Sequence, residues 1–380
     1  MEEFADIIAK IKSMYGKDKA FIPLHEPKFS GNEKKYVAEC IDSTFVSSVG
    51  EFVNDFENKI KTITGSKHAV AVVNGTAALH LSLLLAGVQK DDLVITQAIS
   101  FVATANAIKY IGAEPFFIDI DQDSLGLSPH SLAEFLQQVK LENGIPIHQP
   151  SKKKVSAVVP MHTFGLPVKM DEILKLCNEF KIPVVEDAAE SLGSKLNGKL
   201  TGTFGLLGVY SFNGNKIITS GGGGIIVTDD DRLGKLAKHM STQSKIPHPW
   251  NFEHDMLGFN YRCPNINAAL ACAQLEQLDY FISNKRQTAQ EYKAFFNQTN
   301  FKFIEEPKDA YSNYWLNAIL TKDKDERDKF LQYANENGVM IRPVWRMLNK
   351  LSFLSSFSNV DLKNSQMIEN RLVNIPSSVR

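Results

Sequence analysis

The fold is decided by residues 68–88, HAVAVVNGTAALHLSLLLAGV, where two different periodicities meet. HAVAVV is a short apolar run rich in β-branched residues, which predicts a buried strand. TAALHLSLLLAG predicts a helix, and Asn74-Gly75-Thr76 lies at the junction. Strand-then-helix is the building unit of a parallel sheet, so the neighbouring sequence is expected to repeat it.

The strand–helix pattern repeats in the residues that follow. DDLVIT, PFFIDI, VSAVVP and IPVVED predict strands, and helical patterns separate them; GLLGVYSF and GGIIVTD predict two more strands close together. We therefore expect an α/β fold with a mostly parallel central sheet and helices on both faces. A long helical pattern from Asn265, expected to bend, leads into a smaller C-terminal α/β domain. The predicted division is a helical extension at 1–20, a large domain at 21–255, and the long helix with the small domain at 256–380.

Composition excludes several classes of function. The 380 residues carry a formal net charge of −1, without the concentrated basic face of a nucleic-acid binder. No apolar run approaches the ~20 residues that cross a bilayer, and the acidic start MEEFADIIAKIKSMYG is not a signal peptide but an amphipathic helix. The four cysteines form no C-x-x-C pair, so we expect buried thiols in a cytoplasmic protein, with no metal site.

Three polar groups are expected at the carboxyl edge of the sheet, where open parallel sheets bind ligands. Gly75 and Thr76 open a helix, whose free amides attract an anion, although an ordinary helix cap explains them equally simply. Asp187 ends an apolar strand and either caps a turn or pairs with a buried cation. Lys216, in SFNGNKIITSGGGG (211–224), is either a surface lysine or a reactive amine with no bulky neighbours.

Together these groups match the needs of pyridoxal phosphate. The helix start holds the phosphate, the acid keeps the pyridine nitrogen protonated, and the lysine forms the Schiff base. Ser211 offers a further hydroxyl to the phosphate, and Phe101 is placed to lie flat on the ring.

With these residues in view, the sequence resembles the DegT-type sugar-nucleotide aminotransferases of the aspartate-aminotransferase-like fold type I, over nearly the whole chain. The segments that carry the resemblance are NGTAALH, SFVATANA, EDAAE, SFNGNK and GFNYRCPNINAAL. It implies pyridoxal 5′-phosphate held by Lys216 as an internal aldimine, with pyridoxamine phosphate as the intermediate. It also implies that Glu190 lies near the ring's phenolic oxygen. Asn260 would reach the cofactor phosphate of the neighbouring subunit, hence a homodimer with shared active sites.

Two departures from the broad family narrow the resemblance. Asn213 stands where many members have His, and the run 221–224 is all glycine; both resemble the bacillosamine and legionaminic acid 4-aminotransferases. That subgroup implies L-glutamate as donor and UDP-2-acetamido-2,6-dideoxy-4-ketoglucose as acceptor, aminated at C4 for bacterial glycan synthesis. Predicted substrate contacts are Arg342, His162, Asn213 and Ser48, with Arg346 and Trp345 as further candidates. A hydrogen-bonded structural role remains open for His162, and a surface role for Arg346.

Other functions remain open. Within the same fold, the acceptor is a perosamine-type or 3-amino sugar precursor, or the reaction is that of an amino-acid aminotransferase. A sugar dehydratase is disfavoured because that chemistry is associated with His in place of the lysine. From a different class, the chain is a cofactor-binding regulator without turnover; the near-neutral charge and the absence of an attached DNA-binding region argue against it.

Overall fold

The computed structural model describes residues 2–354 and 360–380. Within them the chain forms twelve α-helices: α1 (Glu2–Tyr15), α2 (Glu33–Asp42), α3 (Glu51–Thr64), α4 (Gly75–Leu85), α5 (Val102–Tyr110), α6 (Pro129–Leu136), α7 (Met170–Glu179), α8 (Asp231–Ser241), α9 (Asn265–Leu275), α10 (Leu278–Phe296), α11 (Lys324–Glu336) and α12 (Lys363–Arg371).

The same residues form sixteen strands: β1 (His68–Val72), β2 (Leu93–Gln97), β3 (Glu114–Ile118), β4 (Val139–Glu142), β5 (Ile145–His148), β6 (Lys153–Val159), β7 (Val185–Asp187), β8 (Lys195–Leu196), β9 (Lys199–Leu200), β10 (Leu207–Ser211), β11 (Gly224–Thr228), β12 (Lys302–Phe303), β13 (Ala310–Tyr311), β14 (Asn317–Leu320), β15 (Arg342–Pro343) and β16 (Leu372–Ile375).

The central sheet has the order β1-β11-β10-β7 on one side and β6-β2-β3 on the other. Two parallel bridges, Val158 to Val184 and Met161 to Asp187, join the halves. The pairs β10–β7, β2–β6 and β2–β3 are parallel, and β11 alone runs antiparallel to its neighbours β1 and β10. The prediction of a mostly parallel sheet is therefore confirmed. The hairpin β4–β5, which the sequence analysis missed, is antiparallel and pairs through β5 with the first residues of β6, Lys153 and Lys154.

Alternating side chains of the strands supply separate cores on the two faces of the sheet. In β1, Val70 and Val72 pack with α4 and α8, whereas Ala69 and Ala71 pack with α3 and α9. The amides that open α4, α6, α8 and α11 are capped by the side chains of Asn74, Ser128, Asp230 and Asp323. Capping satisfies amides that the helix itself leaves unpaired and fixes where each helix begins.

The C-terminal part contains a second sheet of order β12-β14-β16-β15, as expected for a small α/β domain. The long helical pattern from Asn265 does bend: it forms α9 and α10, separated at residues 276–277. Helix α1 lies on this part of the molecule, where its buried Ile7 and Ile11 pack with Phe330 and Ile375. The domain limits at residues 20 and 255 stay a prediction. No helix among the described residues is long and apolar enough to cross a membrane.

Candidate active site

A cavity of about 300 Å³ opens at the carboxyl edge of the central sheet. The predicted wall residue Trp345 lines it, and so do eight residues singled out at strand ends: Gly75, Thr76, Phe101, Asp187, Glu190, Ser211, Asn213 and Lys216. They come from segments up to 141 residues apart (Gly75 to Lys216) and meet because each follows a strand of the same sheet. The structure thus brings together the groups that the strand-end argument placed at one edge.

The start of α4 forms an anion cradle. Asn74 caps the helix: its Oδ1 accepts from the Ala77 amide at 2.8 Å, and its carbonyl accepts from the Ala78 amide at 3.1 Å. The Gly75 and Thr76 amides precede these bonds and have no intrahelical acceptor. A Cβ at Gly75 would lie 2.9 Å from Ser211 Cβ and 3.1 Å from Ser211 Oγ, so glycine lets the Ser211 hydroxyl approach the helix start. Amides, dipole and hydroxyl together fit a phosphate.

Asp187 is 2% exposed at the end of β7. Thr104 Oγ1 donates to its Oδ2 at 2.7 Å, and the Ala189 amide donates to its Oδ1 at 3.2 Å. Burial raises the pKa of Asp187, and these two hydrogen bonds, with the positive charge of Lys216, oppose that rise. A buried carboxylate held in this way is suited to pair with a cationic ligand group.

The amine of Lys216 reaches into the cavity between an acid and an indole ring. Its Nζ lies 3.2 Å from Glu190 Oε1 and 4.1 Å from the centre of the Trp315 ring. Glu190 is 2% exposed, and its Oε2 accepts from the Phe164 amide at 2.9 Å. Burial raises the pKa of Glu190, partly offset by the charge of Lys216. The lysine is therefore positioned by neighbours on two sides.

Phe101 precedes α5 and keeps 49% of its surface exposed, which leaves its ring free to cover a flat ligand. The Trp345 ring lies 6.1 Å from it and also lines the cavity. With the phosphate cradle, Asp187 and Lys216, this wall gives pyridoxal phosphate every type of contact it needs: anion donors, an acid for the ring nitrogen, an amine and an apolar cover.

His162 corrects the sequence analysis, which placed it among the substrate contacts. The side chain is fully buried and does not line the cavity. Its Nε2 lies 3.0 Å from Glu186 Oε2, and its Nδ1 accepts from the Val168 amide at 3.1 Å. Because both ring nitrogens are used inside the protein, His162 has the structural role that had been left open.

Three other predicted residues lie outside the cavity wall of this chain. Arg342 projects from β15 with an exposed side chain, and Ser48 is half-buried in the segment between α2 and α3. Asn260 is exposed, and its Oδ1 accepts from the Arg262 guanidinium at 3.1 and 3.2 Å. The predicted contact of Asn260 with the neighbouring subunit's cofactor, and those of Arg342 and Ser48 with substrate, stay predictions.

The sequence analysis missed Trp315 and Thr104. Trp315 lies in the apolar run YWLNAIL, which predicts only a core strand, yet its Nε1 donates to the Asn215 carbonyl at 2.6 Å and its ring faces Lys216. For Thr104, the helical spacing of three residues from Phe101 was the available signal, because it places both near the same end of α5.

Comparison with known proteins identifies the family. The model of the DegT/DnrJ/EryC1/StrS aminotransferase family matches residues 27–380. The chain belongs to this family. It is a pyridoxal-phosphate-dependent sugar-nucleotide aminotransferase with the type I fold of such enzymes.

Its relatives include two enzymes named GDP-perosamine synthase. The one from Escherichia coli O157:H7 is 38% identical over 88% of this chain and 87% of its own. The one from Vibrio cholerae is 34% identical over 94% of each chain. The crystal structure of the aminotransferase TlmJ from Streptoalloteichus hindustanus superposes with a TM-score of 0.85 at 26% identity, covering 94% of this chain and 93% of that one. These names do not support the narrower bacillosamine and legionaminic acid subgroup that was predicted.

Proposed function

We propose that this aminotransferase moves the amino group of L-glutamate to C4 of a nucleotide-linked 4-keto-6-deoxy sugar. The observation that carries the proposal is the cavity that joins Lys216, Asp187 and Glu190 to the phosphate cradle at Gly75. Bound there, pyridoxal phosphate supplies a carbonyl for amine exchange and an electron sink for the carbon that loses its proton.

Each part of pyridoxal phosphate is assigned to different residues of the cavity. The Gly75 and Thr76 amides and the Ser211 hydroxyl bind the phosphate. Asp187 pairs with the ring nitrogen and keeps a proton on it. Phe101 covers one face of the ring, and Asn213 lies on the wall that the substrate enters. Together these residues would hold pyridoxal phosphate in the cavity that Lys216 enters.

Lys216 is the general acid and base of the proposed reaction. Its amine takes a proton from the donor's Cα and returns one to the acceptor's C4, and it must be neutral when it acts as a base. Glu190 Oε1 at 3.2 Å is the nearest proton acceptor. Burial raises the pKa of Glu190 and the positive charge of Lys216 opposes that rise, so we assign Glu190 the role of orienting the amine through this hydrogen bond.

The nucleotide diphosphate requires cations outside the cavity. Arg342 and Arg346 lie on either side of the cavity residue Trp345 in the sequence, and both side chains are exposed and make no hydrogen bond or ion pair within the described part of the chain. Guanidinium groups bind phosphate oxygens in a two-pronged geometry, so we assign the diphosphate to these arginines. Ser48 is kept as a contact of the same extended ligand.

The acceptor has two candidates. The names of the relatives favour a GDP-linked sugar, because perosamine is a 4-amino-4,6-dideoxy sugar. UDP-2-acetamido-2,6-dideoxy-4-ketoglucose is the second candidate, favoured by Asn213 on the cavity wall and by the uninterrupted glycine run. Both acceptors present the same 4-keto group to Lys216.

A homodimer is part of the proposal. Asn260 follows a segment with large exposed apolar side chains, among them Trp250 (75% exposed), Phe252 (81%) and Leu257 (78%). Exposed apolar surface of this kind marks interaction sites. A second subunit covering this segment brings Asn260 to the partner's phosphate.

The enzyme's proposed nucleotide-linked substrates and its four buried, unpaired thiols fit an enzyme of the cytoplasm.

The test is an assay with both acceptors. The cofactor-loaded protein is mixed with L-glutamate and either GDP-4-keto-6-deoxymannose or the UDP-linked acceptor, and products are identified by mass and NMR. We expect a C4 amine from one acceptor and none from the Lys216→Ala control. Amination at C3, or no amination of either sugar while glutamate is converted to oxoglutarate, refutes the proposed acceptor class.

A further inference from the structure

Thr104 stands directly behind the acid of the active site. It is 1% exposed, lies in the first turn of α5 and does not line the cavity. Its Oγ1 donates to Asp187 Oδ2 at 2.7 Å and lies 2.9 Å from the Oγ of Ser100. Phe101, the predicted ring cover, is three residues earlier. The start of α5 therefore carries both Phe101, which is predicted to cover the cofactor ring, and Thr104, which donates a hydrogen bond to Asp187.

The direction of these hydrogen bonds follows from the chemistry of the groups. An ionised carboxylate only accepts, and a hydroxyl has one proton to donate. With Asp187 ionised, Thr104 gives its proton to Asp187 and is left to accept from Ser100, whose hydroxyl also lies 3.0 Å from Met161 Sδ and 3.3 Å from the Phe101 carbonyl. The Ala189 amide donates to the other carboxylate oxygen at 3.2 Å. Both oxygens are thus held, each by a donor from a different segment, and hydrogen bonds to the ionised form favour that form.

We propose that Thr104 is a positioning residue whose hydroxyl, supported by Ser100, keeps Asp187 oriented and ionised for the cofactor's ring nitrogen. The inference rests on the role given to Asp187 in the proposed function. The other charged or titratable groups that act on Asp187 are Lys216, His162 and Glu190. None of these supplies a hydrogen bond to its carboxylate among the described residues, so Thr104 and the Ala189 amide are its donors.

The test measures binding rather than turnover. Two probes are titrated calorimetrically into cofactor-free protein: pyridoxamine phosphate, and its analogue with C–H in place of the ring nitrogen. Thr104→Val removes the hydroxyl at nearly constant volume, and Thr104→Ser retains it. Thr96→Val is the matched control, because Thr96 is also fully buried and donates to the Val159 carbonyl at 2.8 Å, away from the cavity.

We expect Thr104→Val to bind pyridoxamine phosphate about 10- to 150-fold more weakly, the range for a hydrogen bond to a charged group. The loss should deepen at lower pH, where an unsupported Asp187 takes up a proton sooner. The analogue should bind wild type and Thr104→Val alike, and Thr104→Ser and Thr96→Val should bind pyridoxamine phosphate as wild type does.

The proposal is overturned if Thr104→Val binds pyridoxamine phosphate normally, if it loses both probes equally, or if Thr104→Ser fails to restore binding. It is also overturned if wild type binds the two probes alike, because Asp187 would then not pair with the ring nitrogen. Failure of the proposed acceptor is separate: a wild type that aminates neither sugar but gives the expected binding pattern refutes the sugar assignment and leaves Thr104 in place.

Discussion

The Gly75→Ala substitution tests the phosphate cradle with one added methyl group. That methyl would lie 2.9 Å from Ser211 Cβ, whereas carbon atoms in contact normally stay about 3.5–4.0 Å apart. The start of α4 and the end of β10 must therefore separate by roughly 0.6–1.1 Å. Gly75 does not have a positive φ, so alanine is free of backbone strain there.

Gly75→Ala is expected to lower folding stability moderately but to weaken phosphate binding strongly. Overpacking costs about 1–3 kcal/mol, and replacing glycine in a helix returns up to about 1 kcal/mol, so the free energy of unfolding should fall by about 0–3 kcal/mol. Displacement of the cradle should cost the phosphate a charge-assisted hydrogen bond, about 1.5–3 kcal/mol, which weakens binding roughly 10- to 150-fold.

The assay is calorimetric titration of cofactor-free protein with pyridoxamine phosphate, with the melting temperature measured in parallel. Gly214→Ala is the matched control, because a Cβ at Gly214 meets nothing within 4 Å and the residue lies in the same SFNGNK segment. We expect the control to bind as wild type does. If Gly75→Ala binds as tightly as Gly214→Ala, the phosphate is held elsewhere and the reasoning about the helix start is wrong.

Three further predictions concern the acid, the amine and the buried histidine. Lys216→Ala should abolish turnover, and borohydride reduction should no longer fix the cofactor covalently to the protein. Covalent cofactor found on another lysine would identify a different attachment site. Asp187→Asn should slow transamination at least about tenfold while stabilising the cofactor-free fold near neutral pH. Because folding raises the pKa of Asp187, its ionisation destabilises the native state above that pKa. The gain in the free energy of unfolding should shrink as the pH falls from the pKa of Asp187 in the folded protein toward its pKa in the unfolded protein. An equal gain at all pH values would contradict this. His162→Ala should lower the free energy of unfolding by about 1–3 kcal/mol, since Glu186 loses a buried partner; unchanged stability with a raised KM for the acceptor would restore a substrate role.

The cavity residues were predictable because the sequence marks strand ends, and a parallel sheet gathers those ends at one edge. Val-Val-Glu-Asp, 184–187, also shows where this rule fails. Adjacent strand residues point to opposite faces. Asp187 faces the cavity, whereas Glu186 is fully buried and accepts from His162 and from the amides of Gly202, Phe204 and Gly205. His162 follows a strand end too, but its side chain binds Glu186 rather than the cavity.

Residues contributed by the C-terminal part were not predictable in the same way. Trp315 sits in an apolar run that predicts burial, and it is indeed 3% exposed. Its ring reaches Lys216 because Trp315 bonds the Asn215 carbonyl and its neighbour Asn313 bonds the Glu190 and Leu192 carbonyls, across separations of 100 or more residues in sequence. Local periodicity carries no information about such a contact. The hairpin β4–β5 was missed although its signal is in the sequence: Val-Lys-Leu-Glu, 139–142, alternates apolar and polar residues, and Asn143-Gly144 is a typical two-residue hairpin turn.

The groups proposed to carry out the reaction and the residues proposed to select the acceptor sugar come from different parts of the cavity wall. Lys216, Asp187, Glu190 and the phosphate cradle all belong to the central sheet or the segments that follow its strands. The wall opposite them comes from the C-terminal part. The Trp345 ring lies 6.1 Å from Phe101 and 5.1 Å from Phe164, and Phe164 lies 6.5 Å from Trp315, so a continuous row of aromatic rings joins the two parts. A sugar held over Lys216 must fit between this row and the cradle. Changes at Trp345 should therefore alter which keto sugar is accepted, while the release of oxoglutarate from glutamate, which depends on Lys216 and the sheet residues, should persist.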